Sequence, residues 1–499
     1  MHWEPRLRDV IGRLKVSAHQ NIYDADFEYG TQPLRWESLV ANGATITHVP
    51  MAGGVRLRCP TTAGAVAIRQ SRPYHRYQPG KTQFMAAAVL FGQALAGNLQ
   101  RIGFFDDSNG AFFEDSGATA LNPSGMGVVI RSDATGQVVD TRIDANLWSC
   151  GLSLSRTIDW ARIQMVFVEY AWYGAGMVRF GVFLDGEPRI LHEIGFGNRD
   201  SQTVPWCRTG NLPVRYEQRN ATAIAQQNDM LHYGVSVLTE GRVDDQRGFT
   251  YAYGPPNTAP RRAVAASANR LPALSYRGRP MGTVVASNDG TGGSPGAPAI
   301  NGGAITGTPT TTTMTVANSN FTTNALRGLM VYWPTLNQVG RITANTANTV
   351  TYADNVLGTA VAAAPTAGIA YQIGLINRGQ MLPRRLQLTS DQPVHVEIFT
   401  SVPGSPLNLT GANFQANAAA PNSFAQIDTS ATAFTVSGEM VYSLFVPANN
   451  PVDQQIDNLF PLLNTLRGDR PDILSVCVSN PGATAANVSI QIIGQEAMS

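Results

Sequence analysis

Ile163-Gln164-Met165-Val166-Phe167-Val168-Glu169-Tyr170 and Met177-Val178-Arg179-Phe180-Gly181-Val182-Phe183-Leu184 decide the fold class of this chain. Gly174-Ala175-Gly176 separates them, and Asp185-Gly186 leads on to Arg189-Ile190-Leu191-His192-Glu193-Ile194. β-Branched and aromatic residues dominate all three runs, and each has the length of a strand rather than a helix. Asp-Gly is a strong two-residue hairpin signal, because both central positions of a type I′ turn need positive φ. Three consecutive antiparallel strands predict a meander inside a sandwich or jelly roll. Apolar residues at most positions predict a sheet covered on both faces.

The β pattern extends outward from this passage, from about Gly53 to Tyr253. Arg101-Ile102-Gly103-Phe104-Phe105 and Ala111-Phe112-Phe113-Glu114 flank the turn-rich Asp106-Asp107-Ser108-Asn109-Gly110, which predicts a second hairpin. Gly254-Pro255-Pro256, Gly278-Arg279-Pro280 and Asp289 to Gly296 read as a connector that sustains no regular structure. Short strands follow at Thr310–Val316, Gly328–Trp333, Gly340–Thr343, Thr349–Tyr352 and Tyr371–Gly374. A last block holds Pro393–Phe399, Val441–Val446, Ile473–Val478 and Val488–Ile493. The fold class is therefore mainly β and multidomain, a jelly-roll or β-sandwich core followed by smaller β-barrel or β-sandwich modules. The divisions are a docking arm over 1–52, a large β-sandwich over 53–253, a connector over 254–303, a small β-domain over 304–375 and a C-terminal β-sandwich over 376–499. Two short helices are also expected, from Leu7, Val10, Ile11 and Leu14 and from Ile456, Leu459, Phe460 and Leu463, the latter kinked or started at Pro461.

Composition bounds the function. With 499 residues the chain is too long for one core, and its formal net charge of +1 argues against a general nucleic-acid binder. Charged residues make up only 14% of it, against about a quarter in ordinary domains. Thr, Asn, Ser, Gly and Ala fill that space and favour strands and turns. Cys59, Cys150, Cys207 and Cys477 are widely separated and form no C-x-x-C pair, so inert reduced thiols are expected. No apolar run is long enough for a membrane span, and Met1-His2-Trp3-Glu4-Pro5-Arg6 lacks a signal-peptide core, which predicts a cytoplasmic start.

Every candidate for chemistry lacks a member. Gln78-Pro79-Gly80-Lys81-Thr82 ends like a phosphate-binding loop, but His75 stands where its first glycine belongs. Asp107-Ser108-Asn109-Gly110 resembles part of a calcium loop, but Phe105 occupies the first ligand position. The seven histidines show no metal-binding spacing, and no serine elbow occurs. No catalytic residue, metal ligand or cofactor is therefore expected. A glycosidase pair remains conceivable from Glu169 with Asp185, Glu187 or Glu193, since two carboxyls in a cleft suffice for that reaction. Trp160, Tyr170, Trp172, Tyr173 and Trp206 could stack on sugar rings or fill the core, and core packing is the simpler reading.

One segment near the start is unlike an enzyme opening. Asp24-Ala25-Asp26-Phe27-Glu28-Tyr29-Gly30-Thr31-Gln32-Pro33-Leu34-Arg35-Trp36-Glu37 mixes acidic and aromatic groups and is broken by Gly30 and Pro33. An irregular arm of this kind suits docking onto a neighbour, with Asp26, Phe27, Glu28, Tyr29 and Trp36 as the interface candidates. The segment resembles a D-F-E-Y-G-x-Q-x-x-x-W-E motif near the start of large virion structural proteins of tailed bacteriophages. Arg69 to Lys81, Arg101 to Asp106, Val178 to Gly186 and Asn211-Leu212-Pro213-Val214-Arg215-Tyr216-Glu217 are similar to the same family. The resemblance covers roughly residues 20 to 250; Gly438 to Ser443 and Gly468 to Leu474 are similar to the family's appended β-modules more loosely. It implies a tail, fibre or other particle part assembled in the host cytoplasm. Its partners would be copies of itself and other virion proteins, with a host-surface glycan as a further candidate, and no enzymatic activity comes with it. Sugar-binding receptor recognition is the runner-up reading, and a glycan-cleaving enzyme the third.

Overall fold

The computed structural model describes the chain except residues 1–7, 11, 15–17, 199–201, 242–247, 256–260, 289–299, 302, 402–405, 418–419, 421, 436–437, 457–458, 460 and 498–499. It divides into two units, Met1–Asp244 and Asp245–Ser499, and both are built from sheets that are antiparallel apart from the short parallel pairing of Ala286–Ser287 with Ile300–Asn301.

In the first unit two sheets face each other across one core. Glu187–Gly195, Met177–Leu184, Gln164–Tyr170, Gln83–Leu90, Asn228–Glu240, Gly54–Cys59 and Thr45–Val49 lie side by side in the first sheet, and His19–Ala25 pairs with the end of Asn228–Glu240. Val139–Asp144, Met126–Ser132, Gly110–Asp115, Asn98–Phe105, Val214–Asn220, Val66–Ser71 and Trp36–Ala41 make the second. The chain crosses repeatedly from one sheet to the other, which is the jelly-roll arrangement of a β-sandwich. The expected meander is present, and its turn has Asp185 at φ 53° and Gly186 at φ 79°, with Leu184 opposite Glu187. Val166, Val168 and Tyr170 face the core; on the reverse Phe167 and Glu169 are buried as well, but Met165 is 45% exposed. Cover on the second face is thus confined to one end of the strand.

Two expectations for the N-terminus are corrected. The described part of residues 1–52 is not an arm outside the sandwich, since His19–Ala25, Trp36–Ala41 and Thr45–Val49 are strands of its two sheets. Among the described residues around Val10 and Leu14 there is no helix. Arg8 bridges Leu14 in a tight loop, where the Asp9 carboxylate accepts the Arg13 backbone N–H at 2.7 Å and Gly12 takes φ 81°. An aspartate bonding its local backbone competes with helix formation, and the left-handed glycine completes the turn. Leu7 and Ile11 lie outside the described residues.

The second unit is a sandwich interrupted by a module. Phe249–Tyr253, Ala486–Ala497, Gln380–Ser390 and Val452–Gln455 form one layer, with Arg262–Val264 paired to the start of Ala486–Ala497. The other layer is Gln415–Ala416, Ala425–Asp428, Leu271–Gly278, Ile473–Ser479, Val394–Thr400 and Glu439–Val446. Between Leu271–Gly278 and Gln380–Ser390 the chain builds a separate eight-stranded sheet from Met281–Ser287 to Gln372–Ile376, with its own core around Trp333, Ile342, Tyr352 and Ile373.

The expected connector over 254–303 is therefore corrected in part. Leu271–Gly278 is a central strand with Ala273, Leu274 and Tyr276 in the core, and Met281–Ser287 opens the inserted module. The small domain begins before residue 304, and the C-terminal sandwich takes strands from before residue 376. Asp289 to Gly296 lies outside the described residues. Among the described residues around Ile456 and Leu463 there is no helix either. Met381 and Leu462 exchange backbone hydrogen bonds at 3.1 and 2.8 Å, an extended pairing that Pro461 favours over a helix; Phe460 lies outside the described residues.

Candidate functional site

The five interface candidates separate into pins and tip. Phe27 and Trp36 are each 1% exposed and sit in the sandwich core, whereas Asp26, Glu28 and Tyr29 are on the surface, Tyr29 at 89%. Phe27 meets Trp36 edge-on at 5.5 Å and His232 at 4.6 Å, and His232 stacks on Tyr216 at 4.2 Å. The buried Arg69 holds the loop from inside. Its Nη2 donates to the Thr31 carbonyl at 2.7 Å, its Nη1 to Ser38 Oγ at 3.0 Å and its Nε to His232 Nε2 at 3.3 Å. The same guanidinium lies 5.3 Å from the Phe27 ring centre and 5.5 Å from that of Trp36, a cation–π contact with both. Burial lowers the Arg69 pKa to about 10 and, together with Arg69, drives His232 well below the usual histidine range. His232 is thus neutral and accepts at Nε2. His48 Nε2 donates to the Phe27 carbonyl at 2.7 Å and Tyr23 OH to the Arg35 carbonyl at 3.2 Å. A loop irregular in sequence is consequently fixed at both ends, with two carboxylates and a tyrosine presented on it.

Stretches far apart in the sequence meet at this cluster. Phe27 and Trp36 come from the first, Arg69 from the second and Tyr216 from N-L-P-V-R-Y-E. Sequence reading missed Arg69 and His232 as partners of the arm; the available signal was an arginine in a strand of otherwise buried residues.

Alternate residues of Val214–Asn220 serve the two faces of the second sheet. Tyr216 points to the core; Arg215, Glu217 and Arg219 lie on the reverse in a buried ionic layer. Glu217 accepts from Arg101 at 2.8 Å, Arg215 at 3.2 Å and Arg219 at 3.2 Å. Arg215 grips Asp107 through two bonds at 2.7 and 2.9 Å, and Arg101 also donates to Glu114 at 2.6 Å. Arg131 holds Asp140 by two 2.8 Å bonds. Beneath the layer Phe105, Phe112 and Val129 are packed together, with guanidiniums of Arg101, Arg131 and Arg215 over the rings at 5.2 to 5.8 Å. Burial opposes charge on Glu217, but Arg219, Arg101 and Arg215 outweigh it and hold its carboxyl well below the usual range. This is a layer of fixed ion pairs.

The meander carboxylates do not face each other across an empty space. Arg179 lies between them, 2.9 Å from Glu169 and 2.7 Å from Glu193, and its Nη1 also donates to the Arg8 carbonyl at 3.1 Å. Asp185 and Glu187 are at the hairpin tip, about 20 Å along the strand from Arg179. Gln78 to Thr82 forms a turn closed by Lys81 N–H on the Gln78 carbonyl and runs into a strand, not a helix. In the calcium-like loop the Asp106 carboxylate caps the turn, accepting Ser108 and Asn109 N–H at 2.8 Å each, while Asp107 is paired with Arg215. Among the described residues no three His, Cys, Asp or Glu side chains are grouped to hold a metal. Of the five candidate aromatics, Trp160, Tyr170 and Trp206 are core, Trp172 is half-buried and bonded to the Cys207 carbonyl at 2.7 Å, and Tyr173 is exposed. All four cysteines are free thiols; burial pushes Cys59 and Cys477 up to about 12. No helix among the described residues is long and apolar enough to cross a membrane.

No family model matches the sequence, and no curated protein matches it. Among solved structures the chain is similar to a glycosyl hydrolase family 16 protein from Mycobacterium smegmatis, at 12% identity and a TM-score of 0.30, over 44% of this chain and 100% of that one. A pseudo beta-1,3-glucanase of Mycobacterium tuberculosis matches at 12% identity and a TM-score of 0.30, over 45% of this chain and 99% of the other. The Bacillus licheniformis beta-glucanase matches at 10% identity and a TM-score of 0.27, over 46% and 98% of the two chains.

Proposed function

We propose that this chain is a non-catalytic structural subunit of a tailed-bacteriophage particle, docking through the tip formed by Asp26, Glu28 and Tyr29. The observation that carries the reading is the anchoring of that tip. An exposed tyrosine and two carboxylates stand on a backbone pinned by Phe27, Trp36 and Arg69, so little conformational entropy is lost when a partner covers them. Tyrosine is a residue of interface centres, and the acidic pair favours a partner surface bearing arginine or lysine. The buried carboxylates support the same reading. Glu169, Glu114 and Glu217 are each held by arginine, an arrangement that stiffens a building block and suits neither a glycosidase acid nor its nucleophile.

The test is whether the chain belongs to a particle. Density-gradient-purified particles from cells producing the chain are probed with antibody raised against it. A chain that bands with the particles supports the reading, and one left wholly in the soluble lysate contradicts it.

A further inference from the structure

The second unit carries a cleft of about 890 Å³. One wall is the layer of Gln380–Ser390 and Ala486–Ala497, where Gln387 stands opposite Gln491 and Thr389 opposite Ser489 in register. Cross-strand partners in register point to the same face, so the wall offers an amide pair and, about 7 Å along the strands, a hydroxyl pair. The opposite wall is the segment around Asn413 and Gln415 with the turn at Thr429 and Ser430.

That opposite wall is held in shape by one buried group. The Asp428 carboxylate accepts Asn413 N–H at 2.8 Å, Ser430 N–H at 3.1 Å, Ser430 Oγ–H at 2.6 Å and Ala431 N–H at 3.2 Å. Gln415 Nε2 donates to Asn413 Oδ1 at 2.6 Å, and Asn417 Nδ2 reaches across to the Ala252 carbonyl at 3.1 Å. Two loops and a strand are thus set against the amide wall before any ligand arrives.

The lining side chains carry no charge. An anionic glycan, a nucleic acid or an acidic peptide would find no cation among these lining side chains, and a basic ligand would find only the Asp428 carboxylate, which is buried and already accepts four hydrogen bonds. Primary amides and hydroxyls both donate and accept, as vicinal sugar hydroxyls do, so each in-register pair can meet two neighbouring hydroxyls reciprocally. Ala252, Pro255 and Ile427 supply apolar contact for the C–H faces of a sugar ring. We propose that this cleft binds a segment of uncharged, polyhydroxylated glycan, with Gln387, Gln491, Thr389 and Ser489 as the recognition wall. The site lies in a different unit from the docking tip and does not depend on the particle reading.

The intact chain is screened on an array of neutral hexose and N-acetylhexosamine oligomers together with sialylated and sulfated ones, and hits are titrated by calorimetry. The expected result is binding to one or more neutral glycans that is insensitive to salt, because no ion pair forms. The double substitution Gln387→Ala/Gln491→Ala should weaken it roughly tenfold or more, from two or more lost hydrogen bonds, with the melting temperature unchanged. The near-isosteric Gln387→Glu/Gln491→Glu should also lose binding, which separates lost amide donors from lost shape. Binding to no neutral glycan, binding only to anionic members, or neutral binding untouched by either double variant would overturn the proposal. None of these outcomes alters whether the chain bands with particles.

Discussion

Arg69 and Glu217 show how differently one sandwich handles buried charge. Arg69 sits among aromatic rings, and its partners are a histidine nitrogen, a hydroxyl and a carbonyl. Glu217 instead balances three guanidiniums. Removing one member of such a network leaves buried charge uncompensated, so Glu217→Gln should cost about 3–5 kcal/mol in urea unfolding. Asp185→Asn, at an exposed hairpin tip, should stay within about 0.5 kcal/mol. Acid should also weaken the fold. Burial lowers His75 to about 3 and holds His232 well below the usual histidine range, so the unfolded chain takes up protons first and their contribution is lost as pH falls from about 6.5. Glu217 is depressed as well, and its contribution goes as pH falls below the ordinary glutamate value near 4.5. Asp115, raised to about 6 by burial, acts in the opposite sense and stabilises only as pH drops through that value. Asp107 and Asp140 are depressed by arginine as well, so the depressed groups outweigh Asp115, and the urea midpoint should fall between about pH 7 and about pH 4, most steeply at the acid end. A midpoint that rises over this range would contradict the burial of both histidines.

Glycines in the meander differ in why they are needed. A Cβ on Gly181 would lie 2.1 Å from the Phe167 ring and 2.4 Å from the Arg189 carbonyl, beside the bulge between Phe180 and Gly181. Gly186 has open space around it but a φ of 79°. Gly181→Ala should therefore cost about 1–3 kcal/mol or more through overpacking, and Gly186→Ala about 1 kcal/mol through backbone strain, with thermal melts as the readout. The same meander was legible in sequence because its strands are long, nearly continuous in apolar residues and joined by Asp-Gly. Leu271–Gly278 was not legible, since Pro272 in its second position argues against a central strand. The structure accommodates it at a register shift between Pro272 and Leu274, and Pro383 sits at another before Arg385. The N-terminal strands were hidden for a different reason: they bury few positions each, and their anchors Phe27 and Trp36 lie outside regular alternation. The motif marked the residues as special, but whether they faced a partner or the core depended on Arg69 and His232, distant in sequence.

At the scale of the whole chain, the inserted module changes what counts as a domain. Its entry and exit adjoin, since Asn377 N–H donates to the Pro280 carbonyl at 2.8 Å and Asn377 Nδ2 to the Arg279 carbonyl at 2.9 Å. Replacing residues 281–376 with a short glycine linker should leave a sandwich that keeps its β circular dichroism and a cooperative melt, somewhat weakened by loss of the Arg467 contact with Asp354 and Asn355. A shortened chain without cooperative unfolding would show that the module is part of the sandwich's stability. In the proposed reading a rigidly presented acidic-aromatic tip docks this chain into a particle. Quantitative mass spectrometry of purified particles assembled with the native chain or with Asp26→Asn/Glu28→Gln/Tyr29→Ala tests that docking. The native chain should be present at a fixed copy number and the triple variant at least tenfold less, while the variant's soluble form melts like the native protein because Phe27 and Trp36 remain in place. Equal incorporation of both would contradict it.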